Sequence, residues 1–119
     1  MVEDSRAYDP TAEVVDICRE LIRIDTQNFG DNTGPGERKA AEYVARLLDE
    51  VGIESEIHES APGRASLVAR WGDHSGSEPP LLIHGHLDVV PAEAGDWSHD
   101  PFAAEVVDGY LYGRGAVDM

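Results

Sequence analysis

Residues 81–91 have the sequence Leu-Leu-Ile-His-Gly-His-Leu-Asp-Val-Val-Pro, and this stretch decides how we interpret the rest of the chain. The run Leu81–Ile83 is apolar without alternation, which is typical of a central strand covered on both faces. His84, His86 and Asp88 follow it directly. Ligand clefts in open α/β sheets form beyond the carboxyl ends of strands, so His86 and Asp88 lie where a site is expected.

The His-x-Asp spacing has a functional and a purely structural interpretation. In an extended chain, residues two apart point to the same side, separated by about twice the 3.3 Å strand rise. One ring nitrogen of His86 can then bind a metal while the other donates its proton to Asp88. An isolated His-x-Asp pattern is more often a hydrogen-bonded histidine at a strand end, followed by an aspartate that forms a turn. The spacing alone favours the structural interpretation without excluding the functional one, and His84 is interpreted as a packed histidine or one that supports a ligand, rather than as a ligand itself.

Two helices are predicted on the N-terminal side from apolar residues at helical spacing. The first covers residues 10–24, with Asp9 as its N-cap and Cys18 on its buried face. The second runs from Glu37 to a left-handed C-cap at Gly52. Residues 26–36, rich in Asn, Gly, Asp and Thr, predict an irregular loop between them.

The strands predicted from residue 53 onward complete the fold class. Alternating polarity indicates a half-exposed strand over residues 53–58, and residues 65–71 form the next. Val106–Leu111 places Asp-Gly between apolar arms, the pattern of a two-residue hairpin. We therefore expect an α/β architecture with helices packed on a mixed central sheet.

Asp118 ends a glycine-rich turn, Gly-Arg-Gly-Ala-Val-Asp, at residues 113–118. Two glycines permit close backbone approach, and an aspartate at the end of such a turn is a candidate metal ligand. Alone this signal is weak, because aspartates in such turns usually make local hydrogen bonds. The phosphate-loop and dinucleotide patterns are both absent from the sequence.

Composition limits the partners and the compartment. Nine Lys and Arg residues against 24 Asp and Glu residues give a formal charge of −15, which disfavours nucleic acid and membrane partners. The single cysteine, Cys18, excludes an intrachain disulfide and a thiolate-rich zinc cluster, so any metal must use histidine and carboxylate. Residues 1–10 lack an apolar signal region, and we interpret the protein as cytoplasmic.

Three motifs in order give the sequence a family resemblance. HGHLDVVP at residues 84–91, WSHDPF at 97–102 and YGRGAVDM at 112–119 resemble blocks of the M20 metallopeptidases, dinuclear zinc hydrolases that include aminoacylases, carboxypeptidases and dipeptidases. Residues 34–52 also resemble the N-terminal region of that family. The resemblance implies that residues 1–119 are the N-terminal portion of a zinc-hydrolase catalytic domain, truncated at the C-terminus. The remaining catalytic segment and a lid or dimerisation domain would be absent.

The same resemblance implies roles for individual residues. His86 would be a ligand of one zinc, Asp118 a carboxylate bridging two zincs, and Asp88 the catalytic-site residue that orients His86. Co²⁺ or Mn²⁺ also suits such a ligand set. Trp97 and residues 100–102 would be structural, and Arg114 would have no ligand role. The adjacent glutamate pair that supplies the general base and a ligand in the family is not in this sequence.

The implied activity is hydrolysis of an amide bond in dipeptides or N-acyl amino acids by a zinc-activated water. The alternatives are an aminoacylase-type or desuccinylase-type deacylase, or a non-catalytic homologue that acts as a binding module. The expected partners are a small peptide or N-acyl amino acid, with a homodimer through the absent domain as an option. We expect this chain alone to be inactive.

Overall fold

The computed structural model describes residues 10–73 and 75–118, so the predicted cap Asp9 and the loop residue His74 lie outside the described residues. Helix α1 spans Thr11–Arg23. Pro10 occupies its N-cap position and accepts a hydrogen bond from Val14 N–H at 2.9 Å. The helix therefore begins one residue later than the sequence predicts.

Helix α2 spans Arg38–Glu50. The predicted left-handed glycine, Gly52, follows two residues after its end. Gly52 has φ +77°, and its N–H donates to the Asp49 carbonyl at 2.9 Å. Ile53 N–H donates to the Leu48 carbonyl at 2.9 Å. This pair of bonds is the Schellman arrangement, which satisfies carbonyls that the helix leaves without an intrahelical partner.

Strands β1 (Ser55–Ala61) and β2 (Arg64–Ala69) form an antiparallel hairpin on which α2 packs. The small residues Ala40 and Ala41 of the helix are buried, as is Ala65 of β2. The turn of this hairpin contacts the start of α2, since Glu37 N–H donates to the Gly63 carbonyl at 2.9 Å.

Strands β3 (Glu105–Val107) and β4 (Tyr110–Tyr112) form the predicted Asp-Gly hairpin. Asp108 and Gly109 have φ of 50° and 82°. Positive φ at both central residues is the type I′ geometry, whose twist matches that of the flanking strands. The hairpin prediction is confirmed.

Residues 10–73 and 75–118 contain no mixed central sheet, although the α/β class is confirmed. The strands form two separate two-stranded antiparallel sheets. Leu81–Ile83, predicted as a covered central strand, has no strand conformation, and its three side chains are 85%, 82% and 83% exposed. A central strand needs a hydrogen-bonded neighbour on each side, and among the described residues none pairs with this run.

Several contacts join α1 and the loop after it to the C-terminal half of the chain. Arg19 Nε donates to the Ala104 carbonyl at 3.0 Å. Ile22 is buried, and a Cβ added to Gly113 would lie 2.6 Å from its Cγ2. Gln27 and Val89 form an isolated parallel bridge. These contacts set the positions of the residues around His86 and Asp118.

The apolar face of α1 is only partly covered by these contacts. Val14 is 58% exposed, and the predicted core residue Cys18 is half-buried. None of the helices in residues 10–73 and 75–118 is long and apolar enough to cross a bilayer.

Candidate metal site

His86 contacts a different partner with each ring nitrogen. Nδ1 lies 2.8 Å from the Asp88 carbonyl oxygen and 3.2 Å from Asp88 Oδ1. Nε2 lies 3.2 Å from Asp118 Oδ1. Both atoms facing Nδ1 are acceptors, so Nδ1 carries a proton and donates. Nε2 also faces a carboxylate oxygen, and once it has lost its proton it is the nitrogen available to a metal.

Asp118 is brought to His86 by the turn that follows β4. Gly113 packs on Ile22 of α1, and Arg114 N–H donates to the Pro101 carbonyl at 2.8 Å. Pro101 itself is fully buried. The turn is therefore anchored at its start, while the Asp118 side chain at its end is 92% exposed.

The separation between His86 Nε2 and Asp118 Oδ1 fits two ligands of one metal ion. A tetrahedral zinc with bonds of about 2.0–2.2 Å holds neighbouring ligand atoms about 3.3–3.5 Å apart, close to the observed 3.2 Å. An imidazole and a carboxylate are also a donor pair that zinc accepts. Within residues 10–73 and 75–118, no group of three or more His, Cys, Asp or Glu side chains gathers around a common point.

Asp88 is held from the side opposite His86. Its Oδ2 accepts a hydrogen bond from Asn28 Nδ2 at 2.8 Å. Asp88 thus faces His86 with two acceptors, its carboxylate and its backbone carbonyl. The carbonyl is the nearer of the two to Nδ1. The role of Asp88 in catalysis stays a prediction.

The local charges shift the pKa values of His86 and Asp88 in opposite directions. Hydrogen bonds to the Asp88 carbonyl and to Asp118 raise the pKa of His86 above its ordinary 6.5. The hydrogen bond from Asn28 lowers the pKa of Asp88 below its ordinary 3.8. Below its raised pKa the His86 ring is an imidazolium, and a metal must then displace the proton on Nε2.

His86 and Asp88 separate two open clefts. One, of about 430 Å³, is also lined by Asn28, Arg114 and Asp118. The other, of about 450 Å³, contains Arg64 and Glu37, whose side chains form an ion pair at 2.9 Å. Open space therefore adjoins His86 in both clefts.

The loop predicted to be structural packs beside the first cleft. Phe102 N–H donates to Asp100 Oδ1 at 2.8 Å, which closes a short turn around Pro101. The Arg114 guanidinium lies over the Trp97 ring, 5.1 Å from its centroid. Arg114 thus contacts the aromatic ring rather than Asp118.

Sequence reasoning missed Asn28. It assigned residues 26–36 to an irregular loop, and that assignment is correct, but an irregular loop has no periodicity from which its contacts can be inferred. An asparagine 60 positions from its carboxylate partner gives no local signal.

The structure is that of an α/β protein in which two candidate metal ligands, His86 and Asp118, lie close together. Residues 82–119 match the model of peptidase family M20/M25/M40. Over these residues the chain is similar to this family, and the relatives below extend the similarity to most of the chain.

The relatives are succinyl-diaminopimelate desuccinylases. That of Rhodopseudomonas palustris is 38% identical over 113 residues, covering 92% of this chain and 27% of the relative. Those of Methylobacterium radiotolerans and Methylorubrum populi are both 44% identical, over 107 and 90 residues, covering 87% and 71% of this chain. The aligned residues make up 25% and 22% of the length of these two relatives. The chain thus spans about a quarter of the curated relatives that it matches.

Proposed function

We propose that the complete protein is a metal-dependent hydrolase that cleaves the amide bond of a small N-acyl amino acid. His86 and Asp118 are two of its metal ligands, and Asp88 orients His86. The observation that carries the proposal is the 3.2 Å approach of His86 Nε2 to Asp118 Oδ1, across 32 residues of sequence. A metal bound there supplies a water of lowered pKa and polarises the amide carbonyl.

The chain's own residues prepare the site for that ion. The Asp88 carbonyl and carboxylate hold the proton of His86 on Nδ1, which leaves the Nε2 lone pair for the metal. Asp118 supplies negative charge beside it, since its carboxylate faces the same nitrogen. Further ligands and the general base would come from residues outside this chain, as the family resemblance implies.

The identity of the acyl group is the more specific part of the proposal. Among the two substrate classes considered, N-acyl amino acids are favoured over dipeptides because the relatives named above are desuccinylases. Their name says that they remove a succinyl group, and we propose the same type of deacylation here. The chain's charge of −15 argues against a polyanionic polymer as substrate.

The test is hydrolysis by the complete protein after chelation and after readdition of Zn²⁺ or Co²⁺. The substrate panel contains N-succinyl amino acids, N-acetyl amino acids and dipeptides. We expect metal-dependent turnover with preference for N-succinyl substrates. A complete protein that binds no metal and hydrolyses none of the panel would contradict the proposal and favour the non-catalytic alternative.

Two histidine variants locate the site. His86→Ala should lower metal content and reduce kcat/KM by more than the roughly 10–100-fold that loss of a supporting residue costs. His58→Ala is the matched control, because His58 lies on β1 and its ring pairs with the exposed Glu56 at 3.3 Å. Equal effects of the two substitutions would contradict the assignment.

Asp88→Asn separates the orienting role from a ligand role. The backbone carbonyl still accepts from Nδ1, so we expect most of the metal to remain. The rate should fall, because a neutral amide stabilises a polarised imidazole less than a carboxylate does. Metal analysis alongside kcat measures both effects. An unchanged rate with unchanged metal content would contradict the role.

A further inference from the structure

Asn28 uses both ends of its side-chain amide. Its Oδ1 accepts a hydrogen bond from Gly30 N–H at 2.9 Å, in an Asx-type turn. Its Nδ2 donates to Asp88 Oδ2 at 2.8 Å. Because a backbone donor occupies the acceptor end, the donor end faces the carboxylate, and the orientation of the amide follows from its two contacts.

Backbone hydrogen bonds near Asn28 hold the segment that contains Asp88 and Val89. Asn28 N–H donates to the Val89 carbonyl at 2.8 Å, and Val89 N–H donates to the Thr26 carbonyl at 3.2 Å. Val89 N–H and the Asp88 carbonyl belong to one trans peptide plane, so they point in opposite directions. The bond to Thr26 on one side therefore directs the Asp88 carbonyl to the other side, where it meets His86 Nδ1 at 2.8 Å.

We propose that Asn28 is a positioning residue of this site, which holds Asp88 so that its carboxylate and its carbonyl both face Nδ1 of His86. This keeps the proton on Nδ1 and leaves Nε2 for the metal. The consequence for metal binding and rate rests on the proposed function. The consequence for the His86 tautomer does not depend on it.

Asn28→Asp removes the donor and little else. The new carboxylate keeps one oxygen for Gly30 N–H, so the turn is retained, and it places its other oxygen against Asp88 Oδ2, where the present distance is 2.8 Å. Two carboxylates at that distance repel each other. The Asp88 side chain is then expected to turn away from His86.

Asn32→Asp is the matched control. Asn32 lies in the same loop, is exposed, and its Oδ1 accepts from Arg64 at 3.5 Å, a bond that an aspartate also makes. Its φ of 63° is one that aspartate tolerates. Both variants add one negative charge to the same loop, so a general charge effect would appear in both.

Two measurements on the complete protein decide the role. Nitrogen-15 NMR of histidine-labelled, metal-free protein, at a pH above the His86 titration, reports which ring nitrogen carries the proton. We expect Nδ1–H in the wild type and in Asn32→Asp, and a mixture of tautomers in Asn28→Asp. Titration with Co²⁺, followed by visible absorption, should show affinity reduced by roughly 10–100-fold only in Asn28→Asp. In that variant kcat should fall more than KM changes.

A swap of the two side chains tests whether Asn28 acts through Asp88. Asn28→Asp combined with Asp88→Asn exchanges donor and acceptor and restores the hydrogen bond, so its loss of Co²⁺ affinity should be smaller than the product of the two single losses. The double variant also tests the inference if Asn28→Asp alone does not fold. A tautomer and a Co²⁺ affinity equal to those of Asn32→Asp would overturn the inference.

The outcomes separate the two proposals. A wild-type complete protein that shows Nδ1–H at His86 but binds no Co²⁺ contradicts the proposed function, and the tautomer of Asn28→Asp still decides the positioning role. Normal Co²⁺ binding in every variant contradicts the role of Asn28 and leaves the proposed function supported.

Discussion

At the scale of single residues, His86 is the centre of a linear series of contacts. Asn28 donates to Asp88, Asp88 accepts from His86 Nδ1, and Nε2 of the same ring faces Asp118. Each link is short, and the ends of the series are 90 residues apart in sequence, at positions 28 and 118. When the ring is protonated it is a cation between two carboxylates, and a metal ion would take the place of the proton on Nε2.

The raised pKa of His86 gives metal binding a definite pH dependence. A metal and a proton compete for Nε2, so Co²⁺ affinity of the complete protein should increase as pH rises through the raised pKa and level off above it. Isothermal titration between pH 5.5 and pH 8.5 measures this. An affinity independent of pH over that range would contradict Nε2 as the ligand atom.

The metal-free protein should show the opposite trend in the His86 contribution to stability. Its folded-state pKa lies above the unfolded value near 6.5, so its contacts favour the folded state below that pH. That contribution is lost as pH rises through the folded pKa. Asp88 has a lowered pKa, and its contribution is present above its ordinary 3.8 and is lost as pH falls through the folded value.

At the scale of elements, Gly113 controls how close β4 comes to α1. A Cβ there would lie 2.6 Å from Ile22 Cγ2 and 2.9 Å from Ile22 Cδ1, and Ile22 is buried. In Gly113→Ala either the Ile22 side chain or the turn that carries Asp118 must therefore shift. We expect a loss of about 1–3 kcal/mol in the free energy of unfolding of the complete protein, measured by chemical denaturation, together with weaker metal binding.

Gly95→Ala is the control for this prediction. Gly95 lies in the short 3-10 helix Ala94–Asp96, and a Cβ there would meet nothing within 4 Å. Its substitution should leave stability and metal affinity close to wild type. Destabilisation of Gly113→Ala no larger than that of the control would show that the contact with Ile22 is not limiting.

The elements that the sequence predicts well are those determined by neighbouring residues. The helices α1 and α2 follow from a local apolar period, and the β3–β4 turn follows from Asp108 and Gly109 alone. Leu81–Ile83 was predicted wrongly as a covered strand because pairing depends on segments distant in sequence. The apolar side chains of this run favour burial, but none of the described residues forms a strand next to it.

The approach of His86 to Asp118 was expected from the resemblance to known signature blocks rather than from spacing. Spacing alone left a turn-forming Asp118 equally acceptable. The contact of Asn28 with Asp88 could not be predicted at all, because it joins two irregular segments.

At the scale of the whole molecule, the described residues do not close a compact core. The radius of gyration is 17.2 Å, against about 13.5 Å expected for a compact domain of this length. Leu81–Ile83 is more than four-fifths exposed, and the apolar face of α1 borders an open groove of about 360 Å³ lined by Val14, Leu21 and Val117. Apolar surface of this extent marks a place where other protein packs.

The last prediction concerns the 119-residue chain on its own. Two candidate ligand atoms are fewer than the three protein ligands that a catalytic zinc uses, and Asp118 is 92% exposed, so little prevents a bound ion from leaving. We therefore expect no hydrolysis of N-acyl amino acids above background, little Zn²⁺ after dialysis, and self-association through the exposed apolar run. Light scattering after gel filtration, metal analysis and the substrate panel measure these three properties.

Leu82→Glu tests whether the apolar run causes the association. In the 119-residue chain Leu82 is 82% exposed, so a charge there costs little and should reduce self-association. In the complete protein, where we expect this run to be covered, the same charge would be buried without a partner and should destabilise the fold by several kcal/mol. The substitution thus has opposite consequences in the two proteins. Equal tolerance in both would mean that Leu81–Ile83 stays exposed in the complete protein, and turnover by the 119-residue chain alone would show that its own residues suffice for catalysis.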